Sequence, residues 1–387
     1  MTDPGAIRGN NRIDAITGLR GLAALLVVYG HSVDWFSLPL VNHFSGEIGV
    51  TVFFALSGFL MAYLYIGKDF TVLGVTEYAI HRFSRIAPAY LFILLLSVII
   101  CAAIDPNFVY AITGKNILRH VLFSGNVSVF WSITPEVEFY FLFVLLWAVS
   151  SRCAMRFGPG ALVGLALLGF GCLMLMAYRD VFPGTFVGSK LHYFLFGAVA
   201  GVLRAKIGAG GMAGVDTERD STSLNLLHAL LILAMAAAAI LILSGHGAAV
   251  IPFADNKAFY SSLLTALFGA FLVFSFSFPS TLGDAVFANR AVVLCGECSF
   301  SIYLLHMPVI YVFHKYFPQP LPLALLAPFI ALVLGLSWLN YRLVERPGAR
   351  LIKAAGHLLK RKAAWAVPAL RSSLSQSGQS SQSARKS

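Results

Sequence analysis

Along the chain, apolar residues run almost unbroken for about twenty positions at a time, and short stretches carrying charge, Gly, Pro or Asn separate the runs. A hydrocarbon layer about 30 Å thick is crossed by about 20 helical residues, and only helices and closed barrels satisfy their backbone groups in lipid. The runs are continuous and not alternating, which selects helices over barrel strands. The pattern predicts ten spans: 19–36, 48–66, 86–104, 129–149, 160–178, 191–207, 224–243, 259–279, 292–313 and 322–343. The two longest internal connections, 67–85 and 208–223, are too small to be domains. The expected fold class is therefore all-α, a polytopic membrane helical bundle of about ten transmembrane helices over 19–348. Residues 1–18 precede it, polar and without a cleavage signal after the first run, so that run reads as a retained helix. Residues 349–387 turn basic and then Ser/Gln-rich, a composition expected to be disordered, with Lys360, Arg361, Lys362 and Trp365 suited to anionic headgroups.

Composition sharpens the membrane reading: 58% of residues are hydrophobic and 12% charged, against about 45–50% and about 25% in an average soluble domain. Too few charged side chains are present to cover a soluble monomer. The net charge of +11 does not point to nucleic acid, because the basic residues lie between apolar runs and in the C-terminal segment, not in a patch interleaved with aromatics. Those residues fall mostly on the side of the two termini, which the positive-inside rule places in the cytoplasm. The five cysteines, Cys101, Cys153, Cys172, Cys295 and Cys298, sit in or beside apolar runs and give no disulfide framework. The lone C-x-x-C of Cys295 and Cys298 is best explained by chance, and no metal cluster is expected.

Ionisable groups within spans are costly and so point to function. Arg20 is followed eleven residues later by His31, about 16 Å up the same helix. His31 is either capped by a neighbouring carbonyl, with Asp34 beside it, or a general base for a hydroxyl proton. Arg82 and Arg85 lie one turn apart at the cytoplasmic rim of the third span. They anchor the helix at the interface or grip a phosphate-bearing donor through guanidinium forks. Trp131 to Tyr140 opens the fourth span, with Thr134 predicted as N-cap and Pro135 at the first helical position, so that Glu136 and Glu138 fall in the first turn. His306 sits about 14 residues into the ninth span. His31, Glu136 and His306 are thus expected to share one depth band, and Arg20, Arg82 and Arg85 the opposite one. Such an arrangement suits an enzyme that takes a donor from one side and serves an acceptor near the other. The chain has no G-x-x-x-x-G-K-[ST], H-E-x-x-H or G-x-S-x-G sequence.

The ordered elements resemble the acyltransferase-3 family of integral membrane O-acyltransferases that act on bacterial surface glycans. They are Arg20 with His31, the run Phe53-Phe54-Ala55-Leu56-Ser57-Gly58-Phe59, Arg82 with Arg85, Trp131 to Tyr140, Ser301 to Pro308, and Glu345-Arg346-Pro347. The resemblance covers 12 to about 348. It implies transfer of an acyl group, most often acetyl, from cytoplasmic acyl-CoA to a hydroxyl of a saccharide or glycolipid acceptor across a bacterial inner membrane. By the same analogy Arg20, His31, Glu136 and His306 are the catalytic candidates, and Arg82 and Arg85 hold the CoA phosphates. Glu138, at a position that varies among relatives, receives no catalytic role. Glu136 or Asp34 is expected to orient the His31 imidazole. The rival class is a transporter or flippase of a lipid-linked saccharide, which paired interrupted helices would favour; no such pairs are found. Oligomeric state is left open by the sequence.

Overall fold

The computed structural model describes residues 13–36, 45–114, 116–157, 185–209, 222–243, 253, 255–358 and 360, with scattered positions between 164 and 174. Span 160–178, the side chains of Asp34, Cys153 and Cys172, the segment before Ile13 and the Ser/Gln-rich segment lie outside the described residues.

Those residues form helices and no strand. In chain order they are α1 (Asp14–Trp35), α2 (Ser45–Tyr65), α3 (Val72–Ala103), α4 (Ile117–Val121), α5 (Ile133–Phe157), α6 (Leu191–Ala209), α7 (Thr222–Leu243), α8 (Asn256–Ser261), α9 (Leu263–Ser275), α10 (Thr281–Phe287), α11 (Arg290–Glu297), α12 (Ser299–Tyr316) and α13 (Leu326–Asn340). α13 passes through a π-helical turn, Tyr341–Glu345, and runs on to Leu358. Side-chain caps set several starts: Thr71 accepts from Gly74 N–H, Ser280 from Gly283 N–H and Asn289 from Val292 N–H.

Among the described residues, six helices are long and apolar enough to cross a membrane, or seven if the bent pair α11–α12 is one span. The sequence pattern gave ten. The expected span 259–279 divides into α8 and the 13-residue α9, because Ser262 caps a new helix on Thr265 N–H. The span 292–313 is broken by 72° at Cys298. The third helix begins at Val72, not 86, because its polar first half carries Glu77, His81, Arg82 and Arg85 and is invisible to hydropathy.

Close packing at small residues holds the bundle. A Cβ on Gly58 would stand 2.0 Å from Phe194 O and one on Gly197 2.1 Å from Ala55 O, so α2 and α6 meet backbone to backbone. Leu91, Leu95 and Ile99 form one exposed face of α3, as do Leu226, Leu230 and Leu233 on α7, where lipid tails replace water as solvent. The buried His228 of α7 lies 3.0 Å from Ser275 O and also meets the Ser280 hydroxyl, so this intramembrane histidine ties helices together.

One connection folds back into the bundle. Tyr110 donates to Leu304 O at 2.7 Å, Tyr90 to His120 O at 2.8 Å and Tyr303 to Val129 O at 2.9 Å. Phe123 and Ser128 take left-handed backbone (φ 56° and 47°) in its turns. α5 therefore starts inside the bundle, among α2, α3 and α12. Thr134 is already helical and donates to Gly125 O at 3.0 Å, so it is not the predicted N-cap.

Candidate active site

The sunken start of α5, together with α1, α2, α3, α12 and the end of α13, encloses a cavity of about 650 Å³. Along α2 its lining runs from Val50 to Tyr65, about 22 Å at the rise of an α-helix. Beside Tyr65 the walls carry His81 and Arg82, with Lys353 near His81; Phe53, Ser132 and Tyr303 meet at another part of the lining, which also holds Arg85, Arg346 and Arg350.

Arg82 is packed between rings, its guanidinium 6.0 Å from the Tyr78 centroid and 5.9 Å from that of Tyr140. Its buried Nε has no hydrogen-bond partner in the protein. A buried, orphaned donor of a permanent cation is costly, and an anionic ligand oxygen would satisfy it. Arg85 is paired instead with Glu345, whose other oxygen accepts from Ser301 Oγ at 2.9 Å; Asn340 Nδ2 donates to the same Ser301 at 2.9 Å. Glu345 is 3% exposed and sits in the π-helical turn. The arginine one turn from Arg82 is thus matched by a buried carboxylate.

Arg20 donates through Nε and Nη2 to Gly296 O at 3.0 and 2.8 Å, a carbonyl in the last turn of α11. A Cβ on Gly296 would lie 1.8 Å from Thr17 O, so α11 can reach α1 only with glycine there.

Glu136 lines the same cavity as the arginines. Its Oε1 accepts from Ser57 Oγ at 2.7 Å and Tyr140 OH at 2.8 Å. The expected depth band therefore divides: Glu136 joins Arg82 and Arg85, while His31 and His306 stand apart. Glu138 accepts from Val187 N–H at 2.7 Å, a structural contact.

The two histidines meet. His306 Nε2 lies 3.2 Å from His31 Nδ1, and the ring centroids are 5.0 Å apart. His306 is fully buried and its Nδ1 faces Ile302 O at 3.1 Å, while His31 Nδ1 also faces Val27 O at 3.0 Å. A carbonyl only accepts, so His306 carries its proton on Nδ1 and presents a lone pair at Nε2. His31 then keeps its proton on Nδ1, shared between Val27 O and His306, and the neutral ring holds its lone pair at Nε2. His306, not Glu136, is the side chain that orients the His31 ring among these contacts.

Tyr303, one turn before His306, separates the pair from the cavity. Its ring lies 5.9 Å from His306 and edge-on to Phe53 at 6.2 Å, and its hydroxyl is held by Val129 O and by Ser132 Oγ at 2.7 Å. Neither Tyr303, Ser132 nor Phe53 was singled out from sequence, since each reads there as an ordinary polar or apolar motif position. Arg350 and Lys353 were also missed, although the spacing 346, 350, 353 marks one helix face. Among the described residues no group of three His, Cys, Asp or Glu side chains is placed to hold a metal ion.

Residues 13–342 match the acyltransferase-3 family, described as an acyltransferase domain. The chain is 22% identical over 364 residues to a "Putative O-acetyltransferase" of Staphylococcus aureus (strain COL), covering 87% of this chain and 57% of that protein. It is also 22% identical over 386 residues to the O-acetyltransferase OatA of Staphylococcus aureus (strain MRSA252), covering 92% and 60%. The chain thus spans less than two thirds of the length of these curated relatives. No solved structure matches it.

Proposed function

The chain belongs to the acyltransferase-3 family, and from that premise we propose that it is a membrane O-acyltransferase that moves an acyl group, acetyl by analogy with its relatives, from acyl-CoA to a saccharide hydroxyl. The observation that carries this reading is the lining of the cavity: basic side chains lie along it, Arg82 beside Tyr65, and at Tyr303 it stops one side chain short of a histidine pair.

The residues present fit an acyl-CoA. The orphaned Arg82 Nε would take a diphosphate oxygen, and Arg85, one turn away and already paired through Nη1 with Glu345, would add only the N–H groups that this pair leaves. An acyl-CoA supplies an activated thioester carbonyl. Phe53, Phe54 and Tyr303 form the narrow, weakly polar end that excludes water from the reacting groups. His31 Nε2 takes the proton of the acceptor hydroxyl as its oxygen attacks the thioester carbonyl, and returns it to the thiolate released when the C–S bond breaks; or Nε2 itself attacks that carbonyl, the thiol leaves, and the acyl group then passes from nitrogen to the hydroxyl oxygen. The charge that develops on the ring is stabilised at Nδ1 by Val27 O and His306 Nε2. Glu136, held by Ser57 and Tyr140, sets the field at the middle of the cavity.

The orientation that follows is a bacterial inner membrane protein with the Tyr65 end of the cavity and both termini in the cytoplasm, where CoA thioesters are made. In this reading 19–348 is the transferase domain, 1–18 its cytoplasmic lead-in and 349–387 a cytoplasmic extension whose first turns complete the donor cavity. The acceptor is a surface or exported saccharide, or a glycolipid.

The test is transfer of radiolabelled acetyl from acetyl-CoA into glycan-sized material in sealed inverted vesicles, with an acceptor extract present. Wild type should transfer label and His31→Ala should not, while keeping normal insertion and folding. Transfer undiminished in His31→Ala would remove the assignment.

A further inference from the structure

Beyond the π-helical turn, α13 adds a second cationic wall to the donor cavity. We propose that Arg350 and Lys353, with Arg346 one turn deeper, form a subsite for the 3′-phosphate on the nucleotide end of an acyl-CoA, distinct from the Arg82 end that takes the diphosphate. The proposal rests on the acyl-CoA reading above.

The wall is built, not incidental. Residues 346, 350 and 353 are spaced i, i+4 and i+7 and share the helix face that lines the cavity. The helix is pressed against α3 in antiparallel register: a Cβ on Gly348 would stand 2.6 Å from Pro88 Cβ, one on Gly356 2.4 Å from Ile80 Cδ1, and Lys360 pairs with Glu77 at 2.9 Å. That register brings Lys353 within electrostatic reach of His81 on the adjoining wall. Positive-inside bias asks only that basic residues lie near a helix end, on any face. Here Arg342 points elsewhere and stacks on Trp338 at 5.4 Å, while the other three face inward.

Charge divides the lining in two. Arg85 is matched by Glu345, and Arg20 is held by the Gly296 carbonyl. The remaining cations form two groups: buried Arg82 among its tyrosines, and Arg346, Arg350 and Lys353 on α13. Arg82 and the three α13 cations bring four positive charges to the lining. A diphosphate carries about two negative charges and a terminal phosphomonoester about two more near pH 7. A donor with both groups balances the cavity; a donor with the diphosphate alone leaves the α13 wall uncompensated.

The test compares binding of CoA and 3′-dephospho-CoA to the full chain in nanodiscs of zwitterionic lipid at fixed ionic strength. Wild type should bind CoA about tenfold or more tightly over its dephospho form, the scale of a charge-assisted contact. In the double variant Arg350→Ala with Lys353→Ala, CoA affinity should fall to the dephospho level while dephospho-CoA affinity holds. Arg350→Lys with Lys353→Arg should keep the preference, showing that charge and not shape is read. Adding phosphatidylglycerol to the disc should leave the wild-type ratio unchanged; a ratio that collapses to one marks a lipid headgroup as the occupant and overturns the proposal. Equal affinities in wild type, or a preference that survives the double alanine variant, also overturns the subsite and leaves the donor reading standing. Failure of both nucleotides to bind overturns both.

Discussion

His306 determines which nitrogen of His31 carries the proton. Because its Nδ1 proton goes to Ile302 O, its Nε2 can only accept, and this confines the His31 proton to Nδ1. The sequence marked both histidines by their cost inside apolar runs but gave no sign that they touch, since 275 positions separate them. The contact makes a specific demand on the His306→Phe variant. Phenylalanine fills the same buried space but cannot accept from Nδ1, so an imidazolium formed on His31 in the proposed reaction would lose the His306 acceptor. Acyl transfer should fall by roughly 10²-fold, the lower range for general base catalysis, while CoA binding stays within about twofold because the ring lies outside the donor cavity. Parallel measurement of transfer rate and CoA affinity separates the two effects. A loss of CoA binding with transfer per bound donor intact would assign His306 to packing instead.

Helices are where sequence reading succeeds and fails for identifiable reasons. α1 and α2 were legible within a few residues because hydropathy and helix coincide there, whereas α3 was truncated because its first fourteen residues are helical for reasons of capping and packing, not of lipid. The break at Cys298 and the descent of residues 116–132 depend on tertiary contacts, Gly296 on Thr17 and Tyr303 on Val129, that no local pattern encodes. That descent is also why Glu136 stands beside Ser57 and Tyr140 in the cavity lining and not beside His31. Backbone contact between α2 and α6 gives a sharp test at this scale. Gly197→Val should destroy the fold, seen as loss of the monodisperse peak in size-exclusion of a fluorescent fusion, because its Cβ would meet Ala55 O at 2.1 Å. Gly67→Ala, with nothing within 4 Å of the new atom, should leave the profile unchanged. A second element-level contact is set by charge. Asp105, just past α3, is held by Lys315 and by Tyr311 OH at 2.6 Å on α12, and these bonds pull its carboxyl down to about 2. A depressed carboxyl stabilises the fold above its ordinary value of 3.8, and that contribution is lost as pH falls toward 2. Asp105→Asn should therefore melt lower than wild type at pH 6 and show less further loss between pH 4 and pH 2; parallel curves would dissociate Asp105 from acid sensitivity.

At the scale of the whole molecule, the arrangement of the cavity gives the protein a direction. In the proposed transfer, Arg82 beside Tyr65 and a half-buried His31 beyond Tyr303 require donor and acceptor to arrive from opposite faces of the bilayer. The positive-inside count says which face is which, but it is an average over loops and does not see the cavity. Lys353 does, since it is exposed at the cationic mouth. With the five native cysteines replaced, Lys353→Cys should react with a membrane-impermeant maleimide in inverted vesicles and stay unlabelled in intact spheroplasts, and saturating CoA should slow the labelling. Labelling from outside only would turn the cavity toward a compartment without CoA thioesters. The histidine pair would then face the cytoplasm, and the same arrangement that supports an acyltransferase fed from within would argue against one.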